Sequence, residues 1–330
     1  MGMKLLGIGN ALMDVLVEME DNGLLRELGL HPGTMTLISS GHSVKILERI
    51  RNYKVSRVAG GSVANTLRGF AQLGGACLYF GKAGRDEQAE SFSSSMKESG
   101  VGLVLLSSEQ NTGVAVTFIS PDSERTFATS LSATLDLSSK DLQPELFAGF
   151  DWLYGDGYTS FDPILLKNSL RMAREAGLKI AFDLASPNVV EEHCELFREL
   201  LQREVDLVFA NETEALALTG KEPEAALWDL LQYCPMAVVK LGSEGSLVGS
   251  GDKIWKIEAV SAIPRDTTGA GDLYAAGFLY GISKNLSPDV CGNIGSLLAS
   301  KVVEEIGTRI SRESWSQILE ILGKRGWASE

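Results

Sequence analysis

Residues 266–279 read DTTGAGDLYAAGFL, so a short run of small and polar residues leads directly into an apolar stretch of helical length. Gly269, Ala270 and Gly271 leave backbone N–H groups unobstructed, and a helix from about Leu273 adds partial positive charge at its N-terminus. This combination predicts an anion-binding loop of the kind that phosphoryl transfer requires. Asp272 either caps the helix or accepts the proton of a hydroxyl group that attacks a phosphorus atom held by the loop.

The rest of the chain alternates between short apolar runs and helix-spaced segments. One helix is predicted in AGGSVANTLRGFAQLGG at 59–75, where Val63, Leu67 and Phe70 recur at three- and four-residue steps. Apolar runs such as LKIAFDL and DLVFAN separate the later helical segments. The alternation predicts an α/β fold with a doubly wound, mostly parallel sheet that is covered by helices on both faces.

Four segments lack this rhythm and alternate apolar with polar residues instead, which is typical of strands exposed on one face. They lie at about 12–19, 34–38, 55–58 and 113–130, the last being hairpin-like around Pro121-Asp122. We expect these segments to form one small sheet, a lid over the main sheet; the alternative is that they are edge strands of the main sheet. The prediction is therefore one catalytic domain over residues 1–330 with a discontinuous lid.

Composition excludes several classes of function. The chain has 30 basic and 43 acidic residues, a formal net charge of -13, and no cluster of basic residues, which disfavours binding to nucleic acid or to an anionic membrane surface. No apolar run approaches the roughly 18 residues that a membrane span needs. The four cysteines are far apart and no secretory leader is visible, so we expect a cytoplasmic protein.

Motifs of other enzyme classes are missing from the sequence. GIGNAL at 7–12 breaks the dinucleotide-binding pattern G-x-G-x-x-G at its last position. The sequence contains neither G-x-x-x-x-G-K-[ST] nor G-x-S-x-G, and its three histidines do not have H-E-x-x-H spacing. A nicotinamide dehydrogenase, a Walker-type ATPase, a serine hydrolase and a zinc enzyme are therefore disfavoured.

Two stretches resemble the signatures of a known family. DTTGAGDLYAAGFL is similar to the second signature of the PfkB (ribokinase-like) carbohydrate kinases, and AGGSVANTLRGFAQLGG is similar to the first. The resemblance implies a ribokinase-like three-layer fold with a β-sheet lid, and ATP as the phosphoryl donor. It implies that Gly269, Ala270 and Gly271 form the anion hole and that Asp272 is the base. Gly60, Gly61 and Asn65 would then contact the hydroxyl groups of the acceptor.

The same resemblance assigns roles on the nucleotide side. It places Asn211 and Glu214 in the network of water molecules around Mg²⁺ and phosphate, although N-x-x-E is equally a helix-capping box. Further nucleotide contacts are expected at Lys240, Gly242, Gly245, Asn293 and Gly307, the last also in a loop that could serve a monovalent cation such as K⁺. Each of these positions also has a purely structural explanation. Lys240, Gly242 and Gly245 fit a plain hairpin at 238–248, Asn293 fits the interior of a helix, and Gly307 fits the end of a helix.

Three more positions are expected to act on the acceptor or the phosphoryl group. In the resembled family an aspartate at the position of Asp14 accepts hydrogen bonds from the substrate hydroxyl groups, and Asn10 is expected beside it. The alternative is that Asp14 is a solvated loop residue without such a role. Arg125 would reach the transferring phosphate when the lid closes, whereas most exposed arginines in a hairpin have no such role.

Within this family, three stretches resemble the adenosine-kinase branch: GNALMD, AGGSVANTL and DLVFANETEA. Tyr158, Phe118 and Phe127 could provide stacking faces for a purine. Asn188 departs from the pattern, because adenosine kinases tend to carry an aromatic residue there. We therefore expect a kinase for a primary hydroxyl group of a sugar or nucleoside, as a monomer or a lid-mediated homodimer; the alternative is an inactive sensor on the same fold.

Overall fold

Two β-sheets organise the computed structural model, which describes residues 2–21, 23–32, 34–120 and 125–327. The large sheet has nine strands in the order β14-β13-β12-β11-β10-β9-β1-β5-β6, and the small sheet has five in the order β3-β8-β7-β2-β4. The large sheet comprises β1 (Lys4–Ile8), β5 (Ala76–Ala83), β6 (Gly102–Ser107), β9 (Trp152–Asp156), β10 (Lys179–Asp183), β11 (Leu207–Asn211), β12 (Met236–Lys240), β13 (Ser246–Ser250) and β14 (Lys253–Ile257). The small sheet comprises β2 (Leu12–Glu18), β3 (Met35–Leu37), β4 (Val55–Gly60), β7 (Gly113–Ile119) and β8 (Arg125–Ser130).

The helices fill most of the connections between these strands. They are α1 (Gly23–Glu27), α2 (Ser40–Arg49), α3 (Ser62–Gln72), α4 (Glu87–Glu98), α5 (Pro144–Phe147), α6 (Pro163–Glu175), α7 (Pro187–Glu192), α8 (Cys194–Arg203), α9 (Glu212–Thr219), α10 (Pro223–Tyr233), α11 (Ala270–Ser283), α12 (Pro288–Val302) and α13 (Arg312–Lys324). Single turns of 3-10 helix occur at Ser132–Asp136, Ser139–Asp141, Gly157–Phe161 and Gly242–Glu244.

The large sheet is parallel from β6 to β12 and ends in an antiparallel hairpin of β13 and β14. The first strand, β1, lies in the interior of this sheet, with β5 on one side and β9 on the other, and the winding reverses there. Such a reversal of winding opens a crevice beyond the carboxyl ends of the central strands. The predicted doubly wound α/β fold with a smaller sheet is confirmed, and the small sheet does not extend the edge of the large one.

Two apolar cores lie on opposite faces of the large sheet. On one face Phe278 of α11 packs edge-on against Phe209 of β11, with ring centroids 5.5 Å apart. On the other face Phe182 of β10 packs against Phe197 of α8, also at 5.5 Å. Each buried phenylalanine stabilises the fold by about 1.5–3 kcal/mol. The two cores hold the carboxyl ends of the strands in a fixed register.

Local structure departs from the sequence prediction in two places. The segment 189–205, whose sequence VVEEHCELFRELLQREV predicts one helix, is interrupted at His193, whose φ of -119° and ψ of 25° separate α7 from α8. The helices α1 and α2 were not predicted; α2 is capped by Ser39, whose side chain accepts a hydrogen bond from the N–H of His42. No helix within the described ranges is long and apolar enough to cross a membrane.

Candidate active site

Four consecutive strands of the large sheet end in a polar residue. Asp156 ends β9, Asp183 ends β10, Asn211 ends β11 and Lys240 ends β12. Asp156 and Asp183 are paired in register, and so are Asn211 and Lys240. Because the strands are parallel, these side chains share the edge of the sheet where α/β enzymes bind ligands.

The loop 266–269 delivers the N-terminus of α11 to this edge. Gly269 has a φ of 76°, a left-handed conformation that glycine adopts without strain. The N–H of Ala270 donates to the carbonyl of Thr267 at 3.2 Å, whereas the N–H of Gly271 makes no hydrogen bond within the described residues. A β-carbon at Gly271 would lie 2.9 Å from Nζ of Lys240, so a cation is next to this helix N-terminus.

Asp272 lies in the first turn of α11 and is held by two side chains of α3. Oγ of Ser62 donates to one carboxylate oxygen at 2.8 Å, and Nδ2 of Asn65 donates to the other at 2.8 Å. Burial raises the pKa of Asp272, the hydrogen bond from Asn65 lowers it, and the charge of Asp183 raises it again; the net shift is upward. The carboxylate is thus oriented for proton transfer and is a stronger base than an exposed aspartate.

Asn10, Asp14, Gly60 and Gly61 lie together where β1, β2 and β4 meet α3. A β-carbon at Gly60 would overlap the carboxyl group of Asp14, and Gly61 has a φ of 90°, where a β-carbon would collide with the carbonyl oxygen of Asn10. Both positions therefore require glycine. Burial raises the pKa of Asp14 to about 7, although the charge of Arg68 opposes this shift.

Tyr158 follows β9 and lies beside Asn10, whose Nδ2 donates to the Tyr158 carbonyl at 3.4 Å. Its ring stacks on Phe161 with centroids 6.5 Å apart and an interplanar angle of 22°. Phe118, in contrast, is fully buried in the core beneath the small sheet and cannot stack on a ligand. Asn188 is exposed at the start of α7.

Arg125 links the small sheet to the loop that precedes α11. It forms an ion pair with Asp266 and donates to Oγ1 of Thr268 at 3.3 Å, and only 18% of its side chain is exposed. Burial alone would raise the pKa of Asp266, but hydrogen bonds from Arg125 and from the N–H groups of Thr268 and Gly307 lower it overall. The last of these bonds, from Gly307, is 2.6 Å long.

Asn211 and Glu214 form a complete capping box at the start of α9. Oδ1 of Asn211 accepts from the Glu214 N–H at 2.8 Å, and the Glu214 carboxylate accepts from the backbone N–H and from Nδ2 of Asn211 at 2.8 and 2.7 Å. Burial raises the pKa of Glu214 to about 7, the charge of Asp183 adds to the shift, and Lys240 opposes it. Lys240 itself is ion-paired with Asp183 at 2.9 Å.

The remaining predicted nucleotide positions lie in the turn after β12 and within α12. Gly242 and Gly245 flank the turn between the antiparallel strands β12 and β13, so the hairpin alternative describes their local structure. Asn293 lies within α12, and its Nδ2 donates to the carbonyl of Asp289 at 2.7 Å. These contacts alone assign the three residues no role beyond local structure.

Sequence reasoning missed several polar residues of the crevice: Ser62, Arg68, Asp156, Asp183 and Thr308. Asp156 and Asp183 each end a short apolar strand, a signal that is visible in WLYGD and KIAFD. Asp156 is 1% exposed, and burial together with the charge of Asp183 raises its pKa to about 7. Ser62 and Arg68 give no such signal, because Ser62 meets Asp272 only when α3 packs against α11, and Arg68 meets Thr308 only when α3 packs against the segment that follows α12.

The fold and the site define an α/β enzyme whose polar residues gather at the carboxyl ends of the central strands and at the N-terminus of α11. The model of the pfkB family carbohydrate kinases matches residues 37–315, and the chain belongs to this family. Its members in the comparisons below are kinases, phosphotransferases that act on hydroxyl groups and use ATP.

Relatives in this family include both nucleoside and sugar kinases. Adenosine kinase from Sinorhizobium meliloti superposes with a TM-score of 0.85 at 34% identity, over 97% of this chain and 100% of that one. A probable sugar kinase from Rhizobium etli gives a TM-score of 0.86 at 30% identity, over 99% of both chains. Adenosine kinase from Schizophyllum commune is 27% identical over 343 residues, 92% of this chain and 96% of that protein. The protein is therefore a sugar or nucleoside kinase that is similar to adenosine kinases.

Proposed function

We propose that the protein transfers the terminal phosphoryl group of ATP to a primary hydroxyl group of a nucleoside such as adenosine, or of a simple sugar. The observation that carries this proposal is the position of Asp272 at the N-terminus of α11, with its carboxylate held by Ser62 and Asn65. A general base and an anion-binding helix end then face the same crevice, as an in-line transfer requires.

In the proposed reaction the acceptor lies between the two sheets. Asp14 accepts hydrogen bonds from its hydroxyl groups, while Asn10, Gly60, Gly61 and Asn65 surround the same region. The reacting hydroxyl gives its proton to Asp272 as its oxygen forms a bond to the terminal phosphorus, and the bond from that phosphorus to the bridging oxygen breaks. ADP leaves, and no covalent intermediate with the protein forms.

The developing charge on the transferred group falls on donors at the helix N-terminus. The N–H groups of residues 269–271 and the ammonium of Lys240 supply positive charge there. Arg125, held by Asp266 and Thr268 at the edge of the small sheet, reaches the phosphoryl group once that sheet closes. Gly307 supports this loop through its hydrogen bond to Asp266.

Magnesium would be held mainly by the phosphates and water. Within the described residues no group of three acidic, histidine or cysteine side chains could hold a metal ion. Both carboxylate oxygens of Glu214 already accept hydrogen bonds, so Glu214 would contact the ion through water, which suits the reluctance of Mg²⁺ to lose its hydration shell. When bound, Mg²⁺ neutralises charge on the phosphate oxygens. A K⁺ ion near the loop of Asp266 and Gly307 belongs to the same proposal.

A panel of acceptors tests the proposed function. The protein is incubated with Mg-ATP and, in separate reactions, adenosine, other nucleosides, ribose or fructose, and ADP release is measured. We expect release with at least one compound, with one phosphomonoester formed per ADP and its attachment to the primary hydroxyl established by phosphorus NMR. ADP release that is the same with and without an acceptor, or attachment at a secondary hydroxyl, would contradict the proposal.

A further inference from the structure

Within the described residues, Arg68 is a buried cation that forms no ion pair with a carboxylate. It lies on α3, is 5% exposed, and all its hydrogen bonds within the described residues go to neutral groups. Its Nε is buried without any partner there. Since burying a charge is costly unless it is paired, a buried arginine of this kind points to a role beyond stability.

One branch of its contacts reaches the proposed base. Nη2 of Arg68 donates to Oδ1 of Asn65 at 2.7 Å, and Nδ2 of Asn65 donates to Asp272 at 2.8 Å. An amide group has two faces, and a guanidinium can only donate. Arg68 therefore binds the oxygen of the amide and turns its NH₂ group toward Asp272. Without Arg68 the amide is free to flip, and its oxygen would then face the carboxylate.

The other branch reaches the phosphate side of the crevice. The same Nη2 donates to Oγ1 of Thr308 at 2.8 Å and to its carbonyl at 3.4 Å. Thr308 follows Gly307, whose N–H binds Asp266, and its methyl group lies against Gly269, where a β-carbon would come within 2.8 Å. One guanidinium thus connects the helix on the acceptor side with the loop beside the anion hole.

We propose that Arg68 is a positioning residue for phosphoryl transfer, which acts through Asn65 to keep Asp272 oriented and ionised and through Thr308 to hold the loop beside the anion hole. The inference rests on the proposed role of Asp272. The charge of Arg68 supports it, because Arg68 interacts favourably with the negative charges of Asp14 and Asp272.

The pH dependence of turnover separates positioning from a purely structural role. In Arg68→Met the hydrogen bond that orients Asn65 and a nearby positive charge are both lost, so Asp272 binds its proton more tightly. We expect the acidic limb of the kcat profile to move to higher pH by about one unit. A structural role would lower the active fraction and leave the limb in place. Added to Asn65→Ala, Arg68→Met should shift the limb by less than it shifts the wild-type limb, because only the loss of the positive charge remains.

A matched control removes a neighbouring charge outside this chain of contacts. Arg309 lies near Arg68, and 59% of its side chain is exposed. Arg309→Met should leave the acidic limb where it is in the wild type. If Arg68→Met does not fold, Arg68→Lys carries the test: one ammonium replaces the planar fork, so the limb moves in the same direction by less. An unchanged limb in the folded variant overturns the inference.

A second measurement does not depend on turnover. In ¹⁵N-labelled protein the side-chain NH₂ of Asn65 reports the protonation of Asp272, and Asp272→Asn should abolish that titration. Arg68→Met should raise its midpoint by the same amount as the kinetic limb. If the protein phosphorylates none of the acceptors, the proposed function fails, but this titration still tests the role of Arg68. An equal titration midpoint of Asp272 in the wild type and in Arg68→Met refutes the positioning role.

Discussion

At the scale of single residues, Asp272 carries the chemistry of the proposal. Asn at this position keeps the contacts to Ser62 and Asn65 but cannot accept a proton, so Asp272→Asn should retain the fold. We expect kcat to fall by about 10²–10⁴-fold, the usual contribution of a general base, with ATP and acceptor binding changed only a few-fold. Single-turnover kinetics and calorimetric binding measure the two effects separately.

The control for this variant is another acid in the first turn of a helix. Asp289 has that position in α12. If helix capping were the whole role of Asp272, Asp289→Asn and Asp272→Asn would have comparable small effects on both stability and rate. Activity of Asp272→Asn within tenfold of wild type would remove the assignment of the base.

The residues that sequence patterns revealed differ in kind from those they missed. Gly269, Gly271 and Asp272 lie within four consecutive residues, and the role predicted for them follows from local backbone chemistry. Ser62 and Asn65 act on Asp272 from more than 200 positions away, at separations of 210 and 207 residues. Only the family resemblance pointed to Asn65, and nothing pointed to Ser62 or Arg68, because helix packing places them.

At the scale of elements, strand signals were more informative than helix boundaries. The segments at 12–19, 34–38 and 55–58 contain β2, β3 and most of β4, because alternating polarity marks a strand with one buried face. The pairing of these strands was less accessible, since β3 joins β8 and β2 joins β7 across long stretches of chain. Residues 121–124 of the predicted hairpin turn lie outside the described residues.

We predict that the small sheet closes as a lid on the acceptor. Among the described residues, Arg125 is the only side chain of β8 that contacts the loop before α11. An acceptor bound between the two sheets would add further contacts, and these should protect the amide groups of the small sheet from hydrogen exchange. Hydrogen exchange of β7 and β8 should slow when the acceptor identified in the panel is added. The hairpin of β13 and β14, at the far edge of the large sheet, serves as an internal reference whose exchange should not change. Equal exchange of β7 and β8 with and without acceptor would mean that the lid does not close.

At the scale of the whole molecule, the crevice concentrates acidic groups that are unfavourable to bury. Asp14, Asp156 and Glu214 each have a pKa raised to about 7, mainly by burial. In the unfolded chain such groups titrate near pH 4. Between about pH 4 and 7 the folded protein therefore holds more protons, and the free energy of unfolding must fall as the pH rises through this window. Asp266, with its lowered pKa, adds stability that is lost only at more acidic pH.

Denaturant unfolding from pH 5 to 8 measures this slope, and Asp156→Asn isolates one contributor. The variant removes a charge that is 1% exposed, so it should be more stable than wild type at pH 8, by a few kcal/mol, and nearly equal to it at pH 5. Asp252→Asn, in the exposed turn between β13 and β14, should leave the slope unchanged. A wild-type stability that rises from pH 5 to 8 would contradict the prediction. Asp272 must be ionised to act as a base, and its pKa is raised above that of an exposed aspartate, so turnover should increase with rising pH whereas stability decreases. Binding of an acceptor would offset the loss of stability only in the liganded protein.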